Sequence, residues 1–425
     1  MQTTDTRYEN YVQVLREELI PAMGCTEPVA IAFAAARARQ ELGVYPDRVL
    51  VEVSGNIVKN VKSVVVPNTG GLKGIKAAAA AGVVAGQSEK KLEVIAQVSD
   101  TQKEEIKSFL QTTPIEVRML DTERVFEIII TLYAGKSQTR VRIIDFHTNI
   151  VLVEQDGKTI FQAVEPVAAE ARETDRTLLD VEAIIDFADT VRLEDVRELI
   201  ERQIEHNSAI SAEGLNGTYG ANIGKVLRAN YGDDIKIRAK ASAAAGSDAR
   251  MSGCAMPVVI VSGSGNQGIA ASMPVIEYAK ELDSRSELLI RALVVSDLIA
   301  IHLKTGIGRL SAYCGVVCAG AAAGAGIAYL HGGRMDAISH TLVNALAIVS
   351  GIVCDGAKPS CAAKIAASVD AGILGYQMYQ NGQQFHGGDG IIAKGVENTI
   401  KNICRLGREG MKKTDKEIIQ IMLDE

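Results

Sequence analysis

The chain has 425 residues, 47% of them hydrophobic, a formal net charge of −7 and only 4% aromatic residues. That length allows two or three domains and a large core, while the acidic balance and scattered Lys and Arg argue against nucleic acid as the partner. Seven widely spaced cysteines do not read as a disulfide framework, and the polar stretch from Met1 to Arg16 does not read as a secretory signal, so a cytoplasmic protein is expected.

Residues 7 to 20 show helical periodicity, with Tyr8, Tyr11, Val12, Leu15 and Leu19 on one face, and Pro21 ends that helix. Gly24-Cys25-Thr26-Glu27-Pro28 then opens an Ala-rich helix through Arg39. Thr26 is read as the N-cap, Glu27 as first-turn acid and Pro28 as tolerated there. Cys25 thus falls at a helix N-terminus, where the dipole favours a thiolate.

From Tyr45 the pattern turns to strands. They are predicted at Arg48–Val53, Leu92–Val98, Ile115–Met119, Phe126–Tyr133, Gln138–Ile144 and Asn149–Glu154. Asp156-Gly157 is a two-residue hairpin signal, and an Ala/Gly helix from Leu72 to Val84 interrupts the strands. After Pro166 the chain reads as mostly helical: Leu178–Ala188 and Leu193–Ile204 are amphipathic, and Thr414–Leu423 is a charged final helix. From Ala239 onward Ala, Gly and Ser dominate, which suits closely packed helices. Ala312–Leu330 is 19 residues without charge, but its Ala/Gly composition suits a buried helix better than a membrane span. The expected fold is α+β, a mainly helical Ala/Gly-rich catalytic core with a smaller mixed α/β domain. The divisions are 1–44 (N-terminal helices carrying Cys25, packing on the core), 45–162 (α+β) and 163–425 (helical).

Four segments carry chemistry. Cys354 and Cys361 sit in a turn-rich stretch, with Cys314 upstream; three converging thiolates suit an iron–sulfur cluster that keeps one iron open. Their spacing matches no short cluster signature, so three unrelated buried cysteines is the competing reading. Cys318 shares a helical face with Cys314 and is read as packing, as are Cys254 and Cys404. Ser262-Gly263-Ser264-Gly265-Asn266-Gln267-Gly268 follows a strand-like Val258–Val261 and precedes a helix. That arrangement presents N–H groups to an anion, and without a P-loop lysine a carboxylate is the natural guest. Ser54–Asn60, with Asn56 and Lys59, gathers amides and a lysine at a strand end. Cys25 could be a nucleophile, a base, a cluster ligand or a structural thiol. His386, in a glycine-rich loop, is a secondary acid/base candidate. No zinc-hydrolase histidine pair and no nucleophile elbow is present.

Together, Gly24–Pro28, Ser54–Asn60, Ser262–Gly268, Arg309–Gly315 and Val353–Cys361 resemble the L-cysteine desulfidases. This UPF0597-type family is related to the α chain of iron–sulfur-dependent L-serine dehydratases. The resemblance implies a [4Fe–4S] cluster held by Cys314, Cys354 and Cys361 with an open iron, and Cys25 as catalytic base. The dehydratases use a histidine base and a C-terminal cysteine; Met422–Glu425 contains none, which favours the desulfidase branch. The expected activity is elimination of sulfide from L-cysteine, without pyridoxal phosphate. Ser262, Ser264, Asn266, Gln267, Asn56 and Lys59 are the substrate-binding candidates. A serine or threonine dehydratase and a non-enzymatic iron–sulfur redox sensor are the alternatives. The implied partners are a small amino-acid substrate and iron–sulfur loading machinery, with no nucleic acid and no membrane. A homodimer is a candidate assembly, but the sequence leaves the oligomeric state open.

Overall fold

The computed structural model describes residues 1–163, 174–308 and 310–424. Its strands are β1 (Pro21–Met23), β2 (Arg48–Val53), β3 (Ile115–Met119), β4 (Glu127–Ala134), β5 (Ser137–Ile144), β6 (Ile150–Gln155), β7 (Lys158–Gln162) and β8 (Pro257–Val259). Six of them form one sheet in the order β3-β2-β4-β5-β6-β7, parallel only between β2 and β3. Period-2 alternation fixes its register. Val49, Val51 and Val53 of β2 pair across to Leu132, Ile130 and Ile128 of β4, and all six are buried. The helices Thr26–Leu42 and Gly74–Ala85 pack on one another beside this sheet. Asp156 and Gly157 both take positive φ, 51° and 76°, as a two-residue hairpin between right-twisted strands requires.

The remaining chain builds a helical body from Val181–Thr190, Leu193–Asn216, Ile235–Met251, Gly265–Glu281, Ser286–Ile307, Gly315–Leu330, Met335–Val349 and Cys361–Gln380. The architecture is α+β with a mainly helical core. Small residues set the spacing within it. A Cβ added at Gly324 would stand 2.5 Å from the carbonyl oxygen of Gly372, and one at Gly320 would stand 2.4 Å from Ser368. The helices Gly315–Leu330 and Cys361–Gln380 therefore approach backbone to backbone, closer than larger side chains allow. The helix Thr6–Glu18 packs on the helical body, with Tyr11 edge-on to Phe187 at 5.3 Å. The next helix, Thr26–Leu42, lies against β4 and β5. Among the described residues no helix is long and apolar enough to cross a membrane.

Three local expectations are corrected. Leu92–Val98 is not a strand: a 3-10 turn runs from Ser88 to Glu93, and the chain then bends. Leu92, Val94 and Ile95 are buried as plugs, a role that apolar content alone cannot separate from a short strand. The Ser54–Asn60 strand end is a helix, Gly55–Val61. The N-cap of the helix Thr26–Leu42 is Cys25 rather than Thr26. The expected onset of helix after Pro166 lies outside the described residues, as does Arg309.

Candidate active site

Two backbone devices bring distant segments together. The first is the antiparallel pair β1–β8, with Ala22 opposite Val258. It sets the Gly24–Glu27 turn beside the Ser262–Gly268 turn, and Thr26 Oγ1 donates to the Gly263 carbonyl at 3.0 Å. The second is a bridge between Tyr313 and Val353. Cys314 N–H donates to Ile352 O at 3.2 Å and Cys354 N–H to Ala312 O at 2.6 Å, which fixes the two cysteines side by side. Cys314 caps the helix Gly315–Leu330, and Cys361 begins the helix Cys361–Gln380. The glycine-spaced packing of this pair thus directs two positive helix ends at the thiol cluster, a favourable field for anions.

These segments line one cavity of about 100 Å³. Its wall includes Cys25, Ser262, Ser264, Asn266, Gln267, Lys59, Cys314, Cys354 and Cys361. Of the expected site residues only Asn56 is not among the lining, and its neighbour Asn60 takes that place. His386 is exposed in its loop, where its N–H donates to Asp389 at 2.6 Å. Cys318 and Cys404 are buried outside the cavity wall, and Cys254 does not line it either. Glu27, His147, Arg250, Lys304 and Ser311 also line it. They went unassigned because each is a common residue type whose position only the tertiary contacts reveal. Glu27 and Ser311 alone had a signal, their places in the Gly24–Pro28 and Arg309–Gly315 segments.

Cys25 is 2% exposed, and its Sγ donates to Glu27 Oε2 at 3.1 Å. Burial, then the Glu27 charge and this hydrogen bond, push the thiol well above its ordinary pKa. The expected dipole-stabilised thiolate is therefore not the resting form; desolvation outweighs a helix-end effect worth about 0.3–1 kcal/mol. Burial alone would raise Glu27 as well. His147, the Cys25 hydrogen bond and Arg250 overcome it and leave Glu27 below the ordinary carboxylate value. Asn60 Nδ2 donates to its other oxygen at 3.2 Å. The resting pair is thus a neutral thiol on an ionised carboxylate.

On the opposite wall the Cys314 thiol hydrogen-bonds to Cys354, which lowers Cys354 and raises Cys314. Burial raises Cys361, and its Sγ donates weakly to Gly356 O at 3.5 Å. Lys304 is 5% exposed; burial lowers its pKa against the pull of Cys318, Cys354 and Cys314. Lys59 pairs with Asp415 of the helix Lys412–Asp424 at 2.5 Å and reaches Ser311 O at 3.5 Å. The loop between Cys354 and Cys361 is stapled by Lys358 and Lys364, both ion-paired to Asp355. Lys364 also donates to Val353 O at 2.8 Å.

Among the described residues no group of three or more His, Cys, Asp and Glu forms a ready cage for a single metal ion. Cys314, Cys354 and Cys361 are the residues that could hold a polynuclear cluster, in which each thiolate would take a different iron. Soft sulfur donors at two helix N-termini, with Lys304 and Lys59 in the same wall, suit its negative charge.

A profile of the serine dehydratase alpha chain matches residues 89–420. The chain therefore belongs to the serine dehydratase alpha-chain family. More narrowly, its full-length relatives are UPF0597 proteins. One from Desulfitobacterium hafniense (strain Y51) is 64% identical over 100% of this chain and 99% of the relative. One from Lachnoclostridium phytofermentans is 50% identical over 98% and 100%. A third, from Fusobacterium nucleatum subsp. nucleatum, is 42% identical over 98% and 99%.

Proposed function

We propose that the protein is an iron–sulfur-dependent lyase that eliminates sulfide from L-cysteine to give pyruvate, ammonia and hydrogen sulfide. The observation that carries this reading is the convergence of Cys25, the Ser262–Gly268 turn and three cysteines on one cavity. Cys314, Cys354 and Cys361 would hold a [4Fe–4S] cluster with one iron free of protein ligands, a Lewis acid for the substrate's sulfur. The Ser262–Gly268 turn orients the substrate carboxylate. Cys25 passes its thiol proton to Glu27 and, as thiolate, takes the α-proton. The C–H electron pair becomes the Cα–Cβ double bond, the C–S bond breaks and sulfide departs. The released aminoacrylate then tautomerises and hydrolyses in water. Burial of both walls keeps bulk water from the base and holds it aligned, which a weakly acidic α-proton requires. A cytoplasmic location and a dedicated iron–sulfur loading partner accompany this reading.

Family membership favours a second reading, dehydration of L-serine by the same groups. Anaerobic assay of the cluster-loaded protein with L-cysteine and L-serine side by side separates the two. Pyruvate with stoichiometric sulfide from cysteine, and little from serine, is the expected outcome. Preference for serine would move the activity to dehydration, and pyruvate from neither would sink both.

A further inference from the structure

Arg250 stands near the end of the helix Ile235–Met251 and is 3% exposed. Its guanidinium lies in the cavity wall on the Cys25 side, and its charge acts on both Cys25 and Glu27. Its Nη1 donates to Asn266 Oδ1 at 3.2 Å, while Nε is buried with no partner among the described residues. Among the described residues no carboxylate forms an ion pair with it. Glu27 acts on it through space without a direct ion pair, and a buried guanidinium left without one is costly in a folded protein.

The backbone beside it is open in the same direction. The helix Gly265–Glu281 begins at Ser264, whose side chain makes no cap hydrogen bond, so its first N–H groups lack acceptors within the helix. At Gly265 a Cβ would come 2.3 Å from Arg250 Nε; the absence of a side chain there lets the guanidinium lie against the helix start. Gln267, in the same first turn, holds a buried and unpartnered Oε1.

We infer that Arg250 and the N-terminus of the helix Gly265–Glu281 form the seat for the substrate's α-carboxylate, with Arg250 the residue that distinguishes an amino acid from its uncharged amide. This rests on the amino-acid reading of the cavity proposed above. The carboxylate supplies the direct ion pair that the protein withholds, and it satisfies the guanidinium and the helix N–H groups together. The binding energy is then reserved for the ligand, and the empty seat carries its cost in stability.

The test reads binding without turnover. L-alanine has no β leaving group, so anaerobic calorimetry of the cluster-loaded protein can compare it with L-alaninamide. Wild type should prefer L-alanine. Arg250→Met should weaken L-alanine binding roughly tenfold to a hundredfold, as for loss of a charge-assisted hydrogen-bond pair, and leave L-alaninamide unchanged. Gly265→Ala, which keeps the charge but displaces the guanidinium, should lose the same preference, and Arg250→Lys should retain part of it. Ligand-free Arg250→Met should melt no lower than wild type, because the buried charge it removes costs more than the one hydrogen bond to Asn266 that goes with it. Equal weakening of both ligands, no preference in wild type, or a markedly lower melting temperature for Arg250→Met would each overturn the inference. Intact preference for L-alanine with no pyruvate from any amino acid would uphold it and refute the lyase reading alone.

Discussion

A cysteine that sits on a carboxylate is a different acid–base device from an isolated thiol, and Cys25 and Glu27 must be tested as a pair. Cys25→Ala should abolish turnover with iron content unchanged; loss of iron as well would make Cys25 a ligand. Glu27→Gln removes the acceptor of the thiol proton and should cost on the order of a hundredfold in kcat, within the usual range for a general base, again with full iron. Steady-state kinetics with iron counting on the same samples checks both. Lys304 lines the cavity with Cys314 and Cys354, without a hydrogen-bond or ion-pair partner among the described residues. Lys304→Met should weaken cluster retention about tenfold, roughly 1.4 kcal/mol, read as faster loss of the iron–sulfur absorption on chelator challenge; an unchanged rate would make the lysine a bystander. Residues of this kind separate what the sequence makes legible from what it hides. Cys25, Cys314, Cys354 and Cys361 stand out because thiols are rare and flanked by turn residues. Arg250 and Lys304 are common cations on ordinary helices, and nothing local says that their charges are buried and unpaired.

At the level of elements, glycine spacing does what a metal-ligand motif does in shorter signatures. The cysteines begin two helices whose separation is set by Gly320, Gly324 and Gly372 rather than by the sequence interval between the thiols. Gly324→Val would force a side chain into the Gly372 backbone. Overpacking of this kind costs about 1–3 kcal/mol, and the helix starts should move apart. The expected result is a lower melting temperature together with loss of bound iron, whereas Ala345→Val in the neighbouring helix should lower stability without that loss. Full iron occupancy in Gly324→Val would show that the thiol positions do not depend on this packing. The Ala/Gly runs announced close-packed helices, and Val/Ile alternation announced β2 through β6. What failed was local: Leu92–Val98 carries strand composition on a chain whose Lys91 turns to φ 48°. The helix Gly55–Val61 is built from Gly, Asn, Ile, Val and Lys that say little about helix, and Ser54 ahead of it bonds Val125 and Glu127 rather than capping it.

The molecule as a whole carries a pH dependence remote from the site. Asp297 is fully buried between the helices Leu193–Asn216 and Ser286–Ile307. It accepts from Gln203 Nε2 at 2.9 Å, while its Oδ2 has no partner. Burial raises its pKa from 3.8 to about 7. The folded state therefore binds this proton more tightly than the unfolded chain does. Its stabilising share is complete below about pH 4 and is lost as pH rises toward 7. At roughly 1.4 kcal/mol per pKa unit, the loss is about 4 kcal/mol. Asp297→Asn keeps the acceptor for Gln203 and should raise the melting temperature at pH 8 while changing it little at pH 4.5. Identical pH profiles for the two proteins would place the pH dependence elsewhere.

The β1–β8 ribbon also has a consequence for biosynthesis. Thr26 and its acceptor Gly263 are 237 residues apart, so at roughly 5–20 residues per second the ribosome delivers the second about 10 to 50 s after the first. Cys361 emerges later still. Through that interval the N-terminal thiol has neither its sheltering turn nor its companions across the cavity, and the newborn chain waits with that cysteine uncovered. On the iron–sulfur reading proposed above, insertion of iron and sulfide would belong to the end of synthesis, and a chain stalled before residue 361 would lack one of the three thiols that reading needs.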